Sequence, residues 1–261
     1  MSILSNITRR SIMVWRRNRD VFFTTWKTNF LPPFLEPILY LVAMGLGFGI
    51  LIGKVEYEGI MVEYAMFLAP GLVAISSMYS AFFECTYGSY VRMHYQKTFD
   101  AIIATPLSIE DVIAGEMFWG ATKSFLNSTI VLVVVCIAGL ARFPGILIVP
   151  FIGFLSGLMF AAIAMIFTAL VPNIDSFNYP FFLLITPMFL FSGTFFPLSV
   201  LPGWGQALAE LLPLTHSTRL IRDLSYNMIG WTDLLGVIYI IMLTGITFVV
   251  AIILMRRRLI K

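Results

Sequence analysis

The chain has 261 residues, 59% of them hydrophobic and 12% charged, with a mean hydropathy of +0.90 and a formal net charge of +3. A water-soluble domain carries roughly a quarter charged residues, so this composition excludes one. Several apolar runs reach the ~20 residues a helix needs to cross ~30 Å of hydrocarbon, and backbone amides in lipid must bond within their own segment. The fold class is therefore an all-α polytopic membrane protein.

Residues 1–29 are too polar for the bilayer core, yet they are patterned. On a helical wheel Leu4, Ile7, Val14, Trp15, Val21, Phe22 and Trp26 share one side, with Arg9, Arg16, Arg17, Arg19 and Lys27 on the flanks or opposite. That pattern predicts an amphipathic helix at the membrane surface with its cations toward lipid phosphates. It lacks the apolar stretch and small-residue cleavage site of a signal peptide, so it is expected to be retained. Pro32 and Pro33 separate it from a first span over 34–53, where Gly45, Gly49 and Gly53 offer a face for close helix approach. The string from Gly49 to Lys54 has too few residues between its glycines to be a phosphate loop, and no Ser or Thr follows its lysine.

A short acidic loop with Glu56, Glu58 and Glu63 leads to a second span over 64–83, with a kink expected at Pro70-Gly71. A long polar interruption follows, from Gly88 to Glu116. Inside it lies a short helical segment, 97–105, in which Phe99, Ile102 and Ile103 are apolar beside charged Lys97 and Asp100, with Thr98 and Thr105 near its ends. Ser108 followed by Glu110-Asp111 reads as a helix start, the acidic pair favouring the macrodipole. The third span, 112–140, carries Glu116, Lys123 and Asn127 on one face. Polar groups within a span face protein or a wet cavity and often pair, so these are either a structural pair near the span's cytoplasmic end, with Lys123 partly snorkelling, or part of a substrate path.

Arg142-Phe143-Pro144-Gly145 turns into a fourth span over 146–171, with a small-residue face at Gly153 and Gly157. The fifth span, 177–196, is interrupted by Pro180 and Pro187 and is rich in aromatic residues, among them Phe189, Phe195 and Phe196. Residues 197–232 mix apolar side chains with Pro202, Gly203 and Pro213, which predicts a re-entrant helical hairpin anchored at the interface by Trp204 and Trp231. His216, Arg219, Arg222 and Asp223 make a polar cluster there, suited either to an anionic head group or to capping a short helix. A sixth span, 234–254, ends in Arg256-Arg257-Arg258.

Six basic residues lie in the N-terminal arm, Arg92 and Lys97 in the long interruption, and four in the C-terminal tail; the other side holds Lys54, Arg142, Arg219 and Arg222. Twelve against four places both termini and segment 97–105 in the cytoplasm. Cys85 and Cys136 fall near opposite ends of adjacent spans, too far apart to bridge. His94 and His216 lie on opposite sides, and no Cys/His cluster has metal-ligand spacing. The arginines beside a first span are a topology signal rather than a nucleic-acid site.

The chain offers no nucleotide motif and is expected to hold no cofactor. If it drives transport with ATP, a separate chain supplies the ATPase, with its ATP and Mg. Segment 97–105 is the place for that chain to dock, with Phe99, Ile102 and Ile103 as anchors and Lys97 and Asp100 as a polar rim. A secondary transporter working alone would need carboxylates at mid-depth, whereas Glu36, Glu84 and Glu116 lie near the cytoplasmic boundary. A membrane enzyme would need a catalytic cluster on one side.

Five segments occur in order along the spans: Phe34-Leu35-Glu36-Pro37, Phe67-Leu68-Ala69-Pro70-Gly71, the stretch from Phe99 through Thr105-Pro106-Leu107-Ser108, Ser192-Gly193-Thr194-Phe195-Phe196-Pro197, and Pro213-Leu214-Thr215-His216. With them the chain resembles the permease subunit of a type-2 ABC exporter, in the NodJ-like branch that includes nodulation-factor export permeases. The resemblance implies six transmembrane helices, an amphipathic helix before the first, a coupling helix at 97–105 and a re-entrant hairpin before the sixth. It implies a homodimer in the bacterial inner membrane, working with two copies of a cytoplasmic ATPase. Its cargo would be amphipathic, a lipo-oligosaccharide or lipid-linked glycan, with hydrophobic drugs or antibiotics as the alternative.

Overall fold

A computed structural model describes residues 6–26, 35, 38–141 and 143–260. Helix α1 (Ser11–Thr24) precedes α2 (Ile38–Ile52), a two-stranded hairpin of β1 (Lys54–Tyr57) and β2 (Ile60–Glu63), and α3 (Tyr64–Tyr95). The short α4 (Thr98–Ile103) leads to α5 (Ile109–Ile137), α6 (Gly145–Leu170) and α7 (Ile174–Phe191). Two short helices, α8 (Gly203–Leu211) and α9 (Pro213–Tyr226), precede α10 (Trp231–Leu259).

Among the described residues five helices, α3, α5, α6, α7 and α10, are long and apolar enough to cross a membrane, and α2 is a shorter apolar helix. The protein is a multi-pass, all-α membrane protein. The expected start of the first span, with Pro32, Pro33, Phe34, Glu36 and Pro37, lies outside the described residues, as do residues 1–5, 27–31 and the turn residue Arg142.

The core is built around α6, which packs on α5, α3 and α10, with α1 against α5 and α9 against α3 and α10. Helices α5 and α6 approach closely because Gly153 and Gly157 face Ser128 and Ser124, and a Cβ on either glycine would overlap those serines. The glycine face expected on α2 is used differently. Gly45 faces Ala65, nothing meets Gly49, and Gly53 ends the helix at φ +69°.

Four boundaries differ from the sequence reading, each for a physical reason. Helix α3 does not stop at residue 83 but runs 32 residues to Tyr95, through π-helical turns at Glu84–Gly88 and Val91–Tyr95. Its polar residues there are ion-paired in the interior rather than solvated in a loop. The acidic loop is an antiparallel hairpin pairing Tyr57 with Ile60, turned by Glu58 and Gly59 at φ 49° and 79°. Two successive positive φ values match the right-handed twist of the strands. Helix α7 ends at Phe191, five residues early, where Gly193 at φ +71° packs against Leu198. Helix α10 starts at Trp231, where the Asp233 carboxylate accepts from Gly230 N at 2.8 Å, and its helical hydrogen bonding carries Arg256, Arg257 and Arg258.

Cys85 is buried and Cys136 half-buried, both as free thiols. At the end bearing the β-hairpin, Tyr57 packs edge-on against Phe67 and Tyr226.

Candidate functional site

The end of the bundle that carries α1, α4 and the arginines of α10 gathers most of the candidate residues. Lys97, at φ 54°, takes the left-handed turn that separates α3 from the six-residue α4. This reversal sets α4 across the end of α3. Phe99 then points into the bundle and has no exposed surface, while Ile102 and Ile103 are half-buried against the same core. The anchor role expected toward a partner does not fit Phe99, whose buried ring roots α4 in its own chain, while Ile102 and Ile103, only half-buried, keep part of their surface outward. The face presented outward is Tyr95, which is 62% exposed, together with Lys97, Asp100, Ala101, Ala104, Thr105 and Pro106.

The N-terminal arm clasps this segment. Arg10 Nη1 donates to Pro106 O at 2.5 Å, Arg17 Nη2 to Thr98 Oγ1 at 3.4 Å, and Thr8 N to Asp111 Oδ1 at 2.6 Å. Ser108 caps α5 by accepting from Asp111 N at 3.0 Å, and Asp111 Oδ2 accepts from Ser108 N at 3.3 Å. Glu110 takes Asn6 Nδ2 at 3.2 Å and Arg256 Nη1 at 3.1 Å, so both ends of the chain meet at the start of α5. Beneath, Val14 of α1 sits on Gly115, where any side chain would displace it.

Behind the clasp is a buried ion-pair network. Glu84 lies between Arg92 Nη1 at 2.8 Å and Lys123 Nζ at 2.7 Å, and accepts from Trp119 Nε1 at 3.1 Å. Glu116, 1% exposed, accepts from Arg92 Nη2 at 2.6 Å, Ser89 Oγ at 2.6 Å and Asn18 Nδ2 at 2.7 Å. Glu116 and Lys123 thus do not pair with each other; each pairs with a residue of α3. Arg92, counted as a loop cation in the sequence, is an interior one. Asn127 is half-buried, farther along α5. Glu84, Arg92 and Asn18 were missed as members, although Glu84, Gly88 and Arg92 recur at four-residue spacing, which aligns them on one helix face.

The aromatic candidates lie elsewhere. Phe189 and Phe195 touch edge-on at 4.9 Å between ring centroids, and Phe189 stacks on Tyr79 at 5.9 Å and meets Tyr40 at 6.2 Å. Phe83 and Phe181 extend this column along α3 and α7. Phe196 is half-buried beyond it.

At the hairpin end, His216, Arg219, Arg222 and Asp223 do not form one open cluster. The His216 ring packs on Tyr239, with Nε2 2.9 Å from Glu210 O, and Arg219 pairs with Glu210. Arg222 is buried, donating from Nε to Phe67 O at 3.2 Å and from Nη2 to Gly193 O at 2.9 Å, with its guanidinium 3.8 Å from the Phe67 ring centroid. Asp223 accepts from Tyr57 Oη at 2.7 Å. Burial pushes its carboxyl up to about 7, with Asp233 adding to the rise against the Tyr57 bond and the Arg222 charge. Arg219 and Arg222 line a cavity of about 150 Å³ with Tyr57, Ser199 and Thr215. No group of His, Cys, Asp and Glu suited to a metal occurs among the described residues.

The family model of the ABC-2 type transporter matches residues 9–226. The chain belongs to this family. Nodulation protein J of Sinorhizobium fredii is 36% identical to this ABC-2 permease over 254 residues, spanning 96% of this chain and 94% of its own. Nodulation protein J of Rhizobium meliloti is 39% identical over 217 residues, 82% of this chain and 80% of its own. A more distant relative, the inner membrane transport permease YadH of Escherichia coli, is 22% identical over 220 residues, 84% and 83% of the two chains. The permease is NodJ-like, and the matched residues include α1, α4, the ion-pair network, the aromatic column and the two short helices.

Proposed function

We propose that this permease is the membrane subunit of an ATP-driven exporter whose ATPase is a separate cytoplasmic protein docking on α4. The observation that carries the reading is the geometry of α4: a short helix lies across the bundle end, rooted by Phe99 and clasped by α1, with Lys97, Asp100, Ala101 and Thr105 turned outward. A push on that face reaches α3 through Lys97 and α5 through Ser108, and the network of Glu84, Arg92, Glu116 and Lys123 ties those two helices together. Nucleotide biases the bundle only if the two transport states differ in their contacts with the ATPase. In this reading both termini are cytoplasmic, the membrane is the bacterial inner membrane, and two permease copies meet two ATPase copies.

The proposed cargo is an amphipathic lipo-oligosaccharide or lipid-linked glycan. The similarity to proteins named Nodulation protein J supports it, as does the aromatic column of Tyr79, Phe181, Phe189 and Phe195, whose rings suit acyl chains and sugar faces. The test is co-purification of the solubilised permease with an ATP-binding-cassette ATPase from its own cells, followed by ATP-dependent transport in proteoliposomes. Ala101→Trp, on the outward face of α4, is expected to abolish co-purification while the protein still inserts. Transport by the permease alone, without ATP, would overturn the reading.

A further inference from the structure

A groove of about 370 Å³ runs between α1 and the end of α3, lined by Arg17, Asn18 and Val21 on one side and by Tyr87, Val91 and Arg92 on the other. That is within the roughly 300–1,000 Å³ of small-ligand pockets. Its walls are mostly apolar and its polar groups are gathered around two guanidinium groups.

The charges around it do not balance. Glu84 and Glu116 are matched by Arg92 and Lys123, which leaves Arg17 as a surplus cation. Among the described residues Arg17 donates only to neutral acceptors, Asn18 Oδ1 at 3.1 Å and Thr98 Oγ1 at 3.4 Å. No carboxylate stands within ion-pair distance of it among the described residues. Burial lowers its pKa, and neighbouring Arg92 adds to the fall while Glu116 opposes it. A partly desolvated cation without a counter-ion is costly, and an anion in the groove would offset that cost.

The position of α1 says where the anion comes from. Ile12 and Phe23 lie on one side of α1, each about half exposed or more and interleaved with Arg16 and Arg19, a mixed apolar and basic surface suited to the head-group region, while Val21 is half exposed at the groove. The helix therefore lies along the membrane surface with the groove beside it at head-group depth. Basic pockets in this position suit anionic lipid head groups.

We propose that this groove binds the phosphate head group of an anionic phospholipid from the surrounding leaflet, with Arg17 as its charge partner and the acyl chains lying along Val21 and Val91. Because Arg17 also holds Thr98 at the start of α4, the lipid braces the contact between α1 and α4. The site does not depend on what the permease exports.

The test uses the full-length permease in neutral detergent, with its ATPase where the two co-purify, mixed with phosphatidylglycerol or phosphatidylcholine of matched chains and read by native mass spectrometry. The expected result is one retained phosphatidylglycerol per chain, preferred on the order of tenfold over phosphatidylcholine, whose choline cation neutralises its phosphate and would be repelled by Arg17 and Arg92. Arg17→Gln should erase the preference and Arg17→Lys keep part of it. Arg16→Gln, an exposed neighbour, should leave it intact. Val91→Phe, which narrows the groove without touching a charge, should lower retention and guards against a folding defect in the arginine variants. Equal phosphatidylglycerol retention by the parent and Arg17→Gln overturns the proposal. So does an equal loss in Arg16→Gln, which would mean diffuse surface attraction. Displacement only by the exported amphiphile, with no phosphatidylglycerol bound, would make the groove a cargo site instead and also overturn it.

Discussion

Phe99→Ala separates two roles that Phe99 can have in α4, an anchor to its own bundle or a contact for a partner. Phe99 has no exposed surface, so removing its ring empties a space in the bundle core. Phe→Ala in a packed interior costs about 3–5 kcal/mol. Helix α4 has six residues and little hydrogen bonding of its own, so its local opening costs less than unfolding the bundle. The penalty should therefore appear as detachment of the α4 segment. Lys97, exposed at the head of α4, reports it through cleavage by a lysine-specific protease in open membrane vesicles. Each ~1.4 kcal/mol of lost local stability raises the open population tenfold, so cleavage after Lys97 should accelerate by about a hundredfold to a few thousandfold. The thermal midpoint of the bundle should shift by only a few degrees, and ATPase capture should fall. The exposed-face variant Ala101→Trp should lose the ATPase with cleavage unchanged. If Phe99→Ala lost the ATPase while its cleavage rate and midpoint stayed at the parental values, the ring would be a partner contact and the inward anchoring would be refuted.

Arg92→Gln leaves buried Glu116 with only neutral donors and should destabilise the protein by about 3–5 kcal/mol; Arg92→Gln combined with Glu116→Gln should recover about half of that in thermal melts of the detergent-solubilised chain. Gly157→Ala places a methyl against Ser124 and should cost about 1–3 kcal/mol in the same melts, relieved when Ser124→Gly is added. Asp223 holds its proton up to about 7 in the folded protein, whereas the unfolded carboxyl loses it in the ordinary range, so the folded state binds more protons in between. Stability of the hairpin end should therefore fall as pH rises from about 4 through 7, and Asp223→Asn should flatten that slope in melts taken across the range; a slope unchanged in Asp223→Asn would assign it to another group.

The membrane class, the approximate spans, the short helix at 97–105 and the two helices before α10 were legible because each leaves a local mark. The marks were apolar run length, a cap pattern at Ser108, and Pro-Gly punctuation around Pro202, Gly203 and Pro213. The β-hairpin also had a mark, the alternation of Lys54-Val55-Glu56-Tyr57 before Glu58-Gly59, but the acidic side chains obscured it. The far end of α3 left only the four-residue spacing of Glu84, Gly88 and Arg92. Glu84, Ser89 and Arg92 look like loop residues until Glu116 and Lys123 are seen beside them.

By itself the sequence determined that the chain is helical and lives in lipid, since hydrocarbon admits no other open-ended way to satisfy the backbone. It also placed the N-terminal helix and the short helix within 97–105 in order along the chain. Only the tertiary structure decided which way each polar or aromatic side chain faces. It turned Phe99 inward, paired Glu84 with Lys123 of α5 and Glu116 with Arg92 of α3, split the hairpin cluster among Glu210, Phe67 and Tyr57, and left Arg17 without an ion-pair partner among the described residues. Helical periodicity gives the faces of a single helix, but the partner of a buried charge is set by which other helix packs there, and that is a property of the assembled bundle.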